Sequence, residues 1–581
     1  MNTQNSVASI LVALVVALVH HGLASAAISD TTLVSVSNTS AQSAAGPSRT
    51  GGDHALSASG RYLVFSSSAA DLVDGDTNGV SDVFVRDRKT GTTSRVSVDS
   101  GGGQGNADSF NGSISDDGRY VAFTSLASNL VNGDINELRD IFLHDRKTGA
   151  TTVVSVDARG LPAGGVDLGL SADGRFVAYS QLESGALGAE ILIYDRTTRK
   201  TQHVAMPLSK REAAPPVGTE PALSADGRYL VFTDSTGIPA DDNPEDAPAD
   251  QVVYRYDRLT GAYVTVSASP IGVQRIWRAY APSISATGRY VAFGAYINYE
   301  DQFSHFAFII YVRDVQKGTT SQVSVRPDGG TFDSFPLHPA ISADGRYIAF
   351  VDFGSLIDGT FGGRQNIYVR DRFASFTRFI NHLPSDGSRN TLPSISADGR
   401  TIAYTSDSPN LVANDLNHAT DVFAYDVPQR AEIRINTAGA GFTDSLGRFW
   451  AADRGFNTGA VSTYSSPIAN TSDDTLYQTE RWDAASTPEL QYNFAVPNGT
   501  YQVKLHFAEN YARNFGVGRR TFGVNIEGVR RFDHLDVFQE AGGHAALVKT
   551  AETEVTDGRL DIQFLHQQQN PFIDAIEIFQ E

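Results

Sequence analysis

Short apolar runs separated by glycine-containing turns recur along the first three quarters of the chain. One phrase, exemplified by 56–65 (LSASGRYLVF) and 395–404 (ISADGRTIAY), occurs seven times, and its copies begin at positions 56, 114, 170, 223, 284, 341 and 395. A second run that contains Asp, such as 81–87 (SDVFVRD), follows each phrase, and a third, such as 92–98 (TTSRVSV), follows most of them. A period of this length with several short strands per copy indicates an array of repeated β-sheets.

Each copy predicts four strands of one sheet. Asp-Gly pairs such as Asp173-Gly174 predict tight turns, because glycine accepts a positive φ. The strand after the turn, such as 62–65 (YLVF), is apolar on both faces, as expected for a sheet that lies between two others. Residues 31–37 (TTLVSVS) resemble a last strand but precede the first unit, whereas the seventh unit lacks one. The pattern predicts a seven-bladed β-propeller over 27–428, closed by this N-terminal strand.

An arginine follows the turn glycine in every copy. A residue that is present in all seven units is expected to be structural, and its expected partners are carboxylates of the second run, such as Asp87 and Asp371. A single functional site would instead be formed by positions that differ between units. The seven arginines are Arg61, Arg119, Arg175, Arg228, Arg289, Arg346 and Arg400.

The repeated phrases resemble the TolB-type propeller repeats, a WD-repeat-like family, over roughly residues 28–428. The resemblance implies a fold and leaves the function open, because such propellers host enzymes, inhibitors and scaffolds. One irregular loop, 271–282 (IGVQRIWRAYAP), carries Trp277, Arg278 and Tyr280. Aromatic and polar groups together on a propeller face can bind a sugar or a peptide. The alternative is local packing of a longer loop.

One loop of the first unit spaces its oxygen ligands as a calcium site does. Asp74, Asp76, Asn78 and Asp82 occupy positions 1, 3, 5 and 9, which suit a hard cation, but position 12 is Val85 instead of Glu. The alternative is ordinary Asn and Asp turn chemistry. The sequence therefore predicts no required cofactor and leaves weak calcium binding open.

The N-terminal segment, 1–26, has the features of an export signal. Residues 7–19 (VASILVALVVALV) are apolar or small, and Ala24-Ser25-Ala26 follows as a small-residue cleavage site. The run is shorter than the roughly 20 residues that a membrane-spanning helix needs, although the preceding segment has no Lys or Arg. We expect a signal peptide over 1–26 and no transmembrane segment after its removal; the alternative is a membrane-tethered N-terminus.

The amino-acid composition limits the kinds of binding partner and the cellular compartment that are expected for this protein. The chain has 46 basic and 66 acidic residues in 581, a formal net charge of −20, which argues against binding to nucleic acid. It has no cysteine, so disulfides, thiolate metal sites and cysteine nucleophiles are excluded. An exported protein without cysteine suggests a bacterial periplasm or exterior, where a large core replaces disulfides.

The pattern changes in the last part of the chain, over 429–581. Segments such as 500–509 (TYQVKLHFAE) alternate apolar and polar residues and are bounded by Asn-Gly and Asp-Gly turns. Such segments predict an antiparallel β-sandwich, so the whole chain is predicted to be all-β.

Five phrases of this segment resemble the malectin family and occur in the family's order: INTAG at 435–439, Trp450 to Asp453, LYQTER at 476–481, PNGTYQVKLHFAE at 497–509 and FIDAIEI at 572–578. The resemblance implies a jelly-roll-like carbohydrate-binding domain. In that family, aromatic rings stack on a glucose face and polar groups contact its hydroxyls.

By this resemblance the ring positions are Tyr464, Trp482 and Tyr511, and the polar positions are Gln569 and Asn570. Trp482 stands where animal malectin has Tyr, Gln569 where it has Asp, and Ala512 where it has Phe. These departures put the family's diglucose preference in doubt, though not sugar binding in general. For each aromatic residue the alternative is packing of the core or of a loop.

The sequence contains no HExxH, GxSxG or Walker-type motif, so it favours a non-catalytic role and leaves enzyme activity open. The predicted function is an exported carbohydrate-binding protein, secreted or periplasmic, whose propeller is a scaffold or a platform for a protein partner. One alternative is a polysaccharide lyase or glycoside hydrolase with its active site on the propeller, for which the malectin-like domain provides targeting. The other is a protein-interaction scaffold that has lost glycan binding.

Overall fold

The computed structural model describes 31–38, 46–51, 54–182, 189–204, 217–235, 251–270, 273–299, 306–325, 336–353, 365–373, 376–380, 389–412, 415, 417, 419–427, 432–445, 449–484 and 488–580. The predicted signal peptide therefore lies outside the described residues. The chain divides into two compact units, Met1–Pro428 and Gln429–Glu581. No helix in the described part of the chain combines the length and apolar character that a membrane span needs.

The described strands of the N-terminal unit fall into seven repeat units of four. Four of these are separate four-stranded sheets, and the other three are joined into one 12-stranded sheet by two parallel pairings, Ala189 with Val217 and Gln251 with Arg278. In chain order the strands are β1 (Thr31–Leu33), β2 (Ser48–Thr50), β3 (Tyr62–Ser67), β4 (Asp82–Asp87), β5 (Thr92–Arg95), β6 (Ser109–Ile114), β7 (Tyr120–Ser125), β8 (Asp140–Asp145), β9 (Ala150–Val153), β10 (Val166–Leu170), β11 (Phe176–Leu182), β12 (Ala189–Asp195), β13 (Lys200–Val204), β14 (Val217–Leu223), β15 (Tyr229–Ser235), β16 (Gln251–Asp257), β17 (Ala262–Thr265), β18 (Val273–Ile284), β19 (Tyr290–Tyr299), β20 (Phe306–Asp314), β21 (Thr319–Gln322), β22 (Leu337–Ile341), β23 (Tyr347–Asp352), β24 (Asn366–Asp371), β25 (Phe376–Phe379), β26 (Asn390–Ile395), β27 (Thr401–Ser406) and β28 (Asp421–Asp426).

Backbone hydrogen bonds link the turn of each repeat unit to the turn of the next. The amide of Ala58 donates to the carbonyl of Asp116, and the series continues from unit to unit until the amide of Ala397 donates back to Ala58. The seven N···O distances are 2.8 to 3.2 Å. These bonds satisfy turn groups that would otherwise be unpaired beside the axis. The predicted all-β fold, a β-propeller followed by a β-sandwich, is confirmed.

The N-terminal strand supplies the last strand of the seventh unit, which has the order β1-β28-β27-β26. Ser35 Oγ donates to Asp421 Oδ1 at 2.5 Å and accepts from the amide of Val422 at 3.0 Å. In the first unit Ser97 makes the corresponding bond to Asp82, also at 2.5 Å. A segment from the opposite end of the repeat array thus has the same contacts as a local last strand, and it covers the edge of β28.

The repeated arginines pair with carboxylates of the second run, as predicted, in six of the seven units. Arg61 with Asp87 and Arg346 with Asp371 are examples, and the six N···O distances are 2.6 to 2.9 Å. In the seventh unit Arg400 lies 3.8 Å from Asp398 instead. Asp426 there accepts from Arg88 of the first unit at 2.5 Å, so this carboxylate joins the two ends of the series.

The turn glycines are required for two reasons. Gly174 has φ +67°, and a Cβ placed on it would lie 2.4 Å from the Tyr120 ring of the preceding unit. That ring packs against the guanidinium of Arg119, with Arg196 of the next unit 4.1 Å from its centroid. Glycine therefore allows both the turn and the close packing of one unit on the next.

Replacing Gly174 by Ala is expected to destabilise the propeller by about 2 kcal/mol, because strain at positive φ adds to overpacking. Gly160→Ala is the matched control, since Gly160 also has positive φ but has nothing within 4 Å of its Cβ position. Gly160→Ala should lower the free energy of unfolding by about half as much as Gly174→Ala. Urea denaturation followed by circular dichroism measures both, and equal losses would show that the Tyr120 contact contributes nothing.

The C-terminal unit consists of three sheets around one core. Its strands are β29 (Glu432–Asn436), β30 (Phe442–Thr443), β31 (Phe449–Ala452), β32 (Ala460–Thr463), β33 (Thr479–Trp482), β34 (Gln491–Ala495), β35 (Gly499–Ala508), β36 (Thr521–Ile526), β37 (Val529–Leu535), β38 (Ala546–Val555), β39 (Arg559–Gln568), β40 (Phe572–Ile573) and β41 (Ala575–Gln580). The helices are short: α1 (Val537–Ala541) and two 3-10 turns, Asp474–Tyr477 and Ala512–Asn514.

The sheets have the orders β30-β31-β29-β41-β35-β38, β34-β39-β36-β37 and β32-β33-β40. Alternate residues of β35, such as Val503, Leu505 and Phe507, point into the core, as the sequence pattern predicts. In the small sheet of β32, β33 and β40, Trp482 is the last residue of β33, and Tyr464 directly follows β32.

Candidate functional site

Two of the predicted sugar-binding rings lie on the ribbon formed by β32 and β33. Ser462 pairs with Glu480 across this ribbon, and Ala460 pairs with Trp482. The Tyr464 hydroxyl donates to Glu480 Oε1 at 2.8 Å, and the Trp482 indole N–H donates to Ser462 Oγ at 2.8 Å. Each ring is thus oriented by a hydrogen bond to a neighbour on the same ribbon.

The third ring, Tyr511, follows the end of β35 and is 42% exposed. Its backbone N–H donates to Glu509 Oε1 at 3.0 Å. Glu509 is itself only 1% exposed. A solvent-facing ring is therefore held by a loop that is anchored on a buried carboxylate, an arrangement suited to stacking on a ligand.

Arg520 connects these parts. Its Nε lies 3.3 Å from Glu509 Oε2, and its positive charge also acts on the carboxylate of Glu480. Its guanidinium carbon lies 4.6 Å from the centroid of Phe572, which pairs with Trp482 across β33 and β40. One buried cation thus contacts Glu509 and acts on Glu480, the two carboxylates that hold Tyr511 and Tyr464.

The charges around Arg520 are not balanced. Glu480, Glu509 and Asp574 are each buried, and burial raises the pKa of all three, that of Glu509 to about 7. Asp574 Oδ2 accepts from the amide of Ala508 at 2.5 Å. Glu480 Oε2, Asp574 Oδ1 and Arg520 Nη1 have no hydrogen-bond partner among the described atoms. The Arg520 cluster, meaning Arg520 with these three carboxyl groups, is therefore a buried polar centre in which burial favours the protonated form of each carboxyl group.

The two polar positions follow β39. Gln569 is exposed and has φ +64°, and Asn570 is half-buried. The next residue, Pro571, accepts a hydrogen bond from the amide of Asp483 at 3.0 Å, directly after Trp482. The structure thus places Gln569 and Asn570 beside the Trp482 end of the ribbon, while Tyr464 and Tyr511 are joined through the Arg520 cluster.

Sequence reasoning did not identify Arg520, Glu480, Glu509 or Asp574. The available signal was a charged side chain inside an otherwise apolar strand, such as Asp574 in FIDAIEI. Lone carboxylates of this kind are almost never buried unless they are paired.

The predicted propeller-face residues all lie on β18, and the structure gives them different environments. Arg278 is exposed, whereas Trp277 and Tyr280 are half-buried. The Tyr280 hydroxyl donates to the carbonyl of Pro336 at 3.1 Å, and its ring packs on Gly294. Tyr280 therefore contributes to packing of the fold, and Arg278 is the most exposed of the three.

The predicted calcium loop is held together by an arginine. Arg95 Nη1 lies 3.1 Å from Asp76 Oδ1 and 3.1 Å from Asp82 Oδ2. Asn78 donates from its amide nitrogen to Asp82 Oδ2 at 2.9 Å. A guanidinium thus lies between the carboxylates that a cation would require, while Asp74 is exposed.

The first strands of the repeat units carry a set of residues at equivalent positions that differ from one unit to the next. The sequence did not point to this set. Each lies three positions before the repeated phrase and has positive φ without being glycine. The described members are Asn111, Asp167, Glu220, Ala281, His338 and Leu392. By sequence register the first unit has Asp53, which lies outside the described residues. Positive φ in a non-glycine residue often marks functional backbone.

Neighbouring residues of this set, the axial ring, contact one another. Glu220 Oε2 accepts from the amide of Ala281 at 2.7 Å, and the amide of Glu220 donates to Asp167. Water reaches Glu220 and His338, yet desolvation still raises the pKa of Glu220 and lowers that of His338. This combination is expected of side chains that line a narrow channel.

Comparisons with known proteins give different results for the two units. The family model described as Malectin domain matches residues 431–576. Receptor-like protein 4 of Arabidopsis thaliana is 33% identical over 144 residues, which are 23% of this chain and 23% of that protein. The chain thus spans less than a quarter of the length of that relative.

Two solved structures are similar to the chain at low identity. An oligogalacturonate lyase from Vibrio parahaemolyticus is 15% identical with a TM-score of 0.45, covering 69% of this chain and 97% of the lyase. TolB from Acinetobacter baumannii is 15% identical with a TM-score of 0.33, covering 54% and 62%. The family match applies to the C-terminal unit, which carries a malectin domain over residues 431–576.

Proposed function

We propose that this chain is an exported carbohydrate-binding protein whose malectin domain holds a glycan between Tyr464, Trp482 and Tyr511, with Gln569 and Asn570 contacting hydroxyl groups. The observation that carries the proposal is that one buried polar cluster holds Tyr464 and Tyr511, while Trp482 is held by Ser462 on the ribbon that carries Glu480, all within a matched malectin domain. Aromatic faces on rigid supports favour the weakly apolar C–H face of a sugar at low entropic cost.

Export is supported by the apolar N-terminal run and its small-residue cleavage site. In this proposal the propeller is a scaffold or a platform for a protein partner, because the repeated arginine pairs and turn bonds serve its packing. We propose a secreted or periplasmic location in a bacterium.

Tyr511→Ala should reduce glycan affinity at least about tenfold with little loss of stability, because the ring is exposed and its loop is anchored through the backbone. Phe456→Ala is a matched control, since Phe456 is also an exposed aromatic residue of this unit, 39% exposed, but contacts Arg481 instead. Isothermal titration with an oligosaccharide that the unaltered chain binds measures the affinity of both variants. If the triple variant of Tyr464, Trp482 and Tyr511 to Ala still binds, the site lies elsewhere; if no glycan binds the unaltered chain, a protein-interaction role is favoured.

The axial ring supports a second candidate, a glycoside hydrolase or polysaccharide lyase with its active site in the propeller channel. Two adjacent carboxyl groups with raised pKa, Asp167 and Glu220, together with the imidazole of His338, are groups that can transfer protons in such reactions. The malectin domain would then bring the enzyme to its polysaccharide.

For this second candidate, Glu220→Gln should abolish release of reducing ends or unsaturated products from a polysaccharide panel. The same substitution should leave binding at the malectin domain unchanged. Glu190→Gln, which alters an exposed propeller carboxylate paired with His203, is the control. Turnover that is equal in all three proteins would exclude the channel as the active site.

A further inference from the structure

Three metal-ligating side chains from three segments of the C-terminal unit converge at one point. Asp483 follows β33, Glu489 precedes β34, and His566 lies near the end of β39. One ligand atom from each residue lies within 4.8 Å of those of the other two. His566 Nδ1 and Glu489 Oε2 are 2.7 Å apart. Asp483 is only 2% exposed.

Backbone contacts hold these side chains in place. Asp483 Oδ2 accepts from the amide of Leu490 at 2.7 Å, and its own amide donates to Pro571 at 3.0 Å. The amide of Phe564 donates to the carbonyl of Leu490 at 2.9 Å, which ties the segment with Glu489 to the strand with His566. The three ligands are therefore positioned by the fold before any ion is bound, which lowers the entropic cost of binding one.

The arrangement differs from the other histidine–carboxylate pairs in the described part of the chain. His203 pairs with Glu190 and His534 with Asp533, and both pairs are largely exposed. His506 pairs with Glu577, but both of these side chains are buried. At His566, Nδ1 contacts the Glu489 carboxylate, Nε2 lies 3.3 Å from the backbone carbonyl of Asp483, and the Asp483 carboxylate lies within 4.8 Å of the other two ligand atoms. The side chains of His566 and Glu489 are 19% and 18% exposed. An ion can therefore reach the group from solvent.

We propose that Asp483, Glu489 and His566 bind one divalent transition-metal ion of the Zn²⁺ class. Two carboxylates balance the charge of such an ion, and a nitrogen ligand favours it over Ca²⁺ or Mg²⁺, which prefer oxygen alone. Three protein ligands leave a coordination position open to solvent. Because Asp483 directly follows Trp482, the ion would also tie the end of β33 to β39.

The test is isothermal titration of the full chain, without a polyhistidine tag, with ZnCl₂. We expect one saturable site. His566→Gln and Asp483→Asn should each weaken it by at least about tenfold, since even groups outside the first coordination sphere change metal affinity by ~10–100-fold. His203→Gln should bind as the unaltered chain does. No saturable binding, binding that these variants leave unchanged, or equal binding of Ca²⁺ would overturn the proposal.

A second measurement guards against variants that fold poorly. Glu489 is more exposed than Asp483, so Glu489→Gln should fold normally and can be compared by thermal unfolding with and without Zn²⁺. The ion should raise the Tm of the unaltered chain by mass action and leave that of Glu489→Gln unchanged. An equal rise in both would place the ion elsewhere. Glycan binding is not needed for either readout, so this proposal and the proposed function can fail separately.

Discussion

Replacing Arg520 by Met is expected to destabilise the C-terminal unit by about 3–5 kcal/mol, the usual cost of removing one partner from a buried ion pair. Met retains much of the side-chain volume, so the loss would arise from charge. Glu480 and Glu509 would remain buried without the guanidinium that now favours their ionised forms. The contact with the Phe572 ring would also be lost.

Urea denaturation followed by tryptophan fluorescence measures this loss, because two of the three tryptophans, Trp450 and Trp482, lie in the C-terminal unit. Arg530→Met is the matched control. Arg530 pairs with Asp533 at 2.5 Å, but both side chains are about half exposed, and such surface pairs contribute less than ~1 kcal/mol. If the two variants lose the same stability, Arg520 does not stabilise the buried carboxylates that hold Tyr464 and Tyr511.

Raising the pH from 4 to 8 is expected to cost the C-terminal unit about 3 kcal/mol through Glu509 alone. Burial raises the pKa of this carboxyl to about 7 from its usual 4.5. The folded state therefore holds the proton more tightly than the unfolded state. The stabilisation is complete below pH 4.5 and is lost as the pH rises through 7, because each pKa unit corresponds to about 1.4 kcal/mol.

The pH dependence is set by groups from several elements. Arg520 and the amide of Tyr511 favour the ionised form of Glu509, whereas Glu480 and Asp536 oppose it. In Glu509→Gln the side chain cannot ionise, so the difference in unfolding free energy between pH 4 and 8 should shrink by about the same 3 kcal/mol. Glu540→Gln, which alters an exposed glutamate, is the control. If Glu509→Gln leaves the pH dependence of the unfolding free energy unchanged, Glu509 is not the group that causes it.

The repeat pattern was sufficient to predict the propeller because each unit repeats the same local chemistry. Positive φ at Gly174, the pairing of Arg61 with Asp87 and the last strand donated by residues near Ser35 are all contained in the phrases themselves. The exception is at Arg400, because Asp426 accepts from Arg88 of the first unit and from Thr401 of its own unit. Thr401 stands where the other six phrases have Tyr or Phe, but the contact with Arg88 comes from the other end of the repeat array.

The aromatic residues of the proposed glycan site were predicted from family phrases, whereas the polar groups that hold them were not. Glu480, Glu509, Arg520 and Asp574 come from different strands, and only folding places them in one cluster. The axial ring was missed for a related reason. The bulges at Asp167, Glu220 and His338 depend on pairing with the neighbouring strand, which alternation of apolar residues does not encode.

Glycan binding by the malectin domain through Tyr464, Trp482 and Tyr511 is tested most directly by a glycan-array screen. The screen compares the full chain with its triple alanine variant, and Glu220→Gln is the propeller control. The full chain and Glu220→Gln should retain the same glycans, and the triple variant, folded by circular dichroism, should retain none of them. Retention of those glycans by the triple variant, or no retention by the full chain, would contradict this prediction.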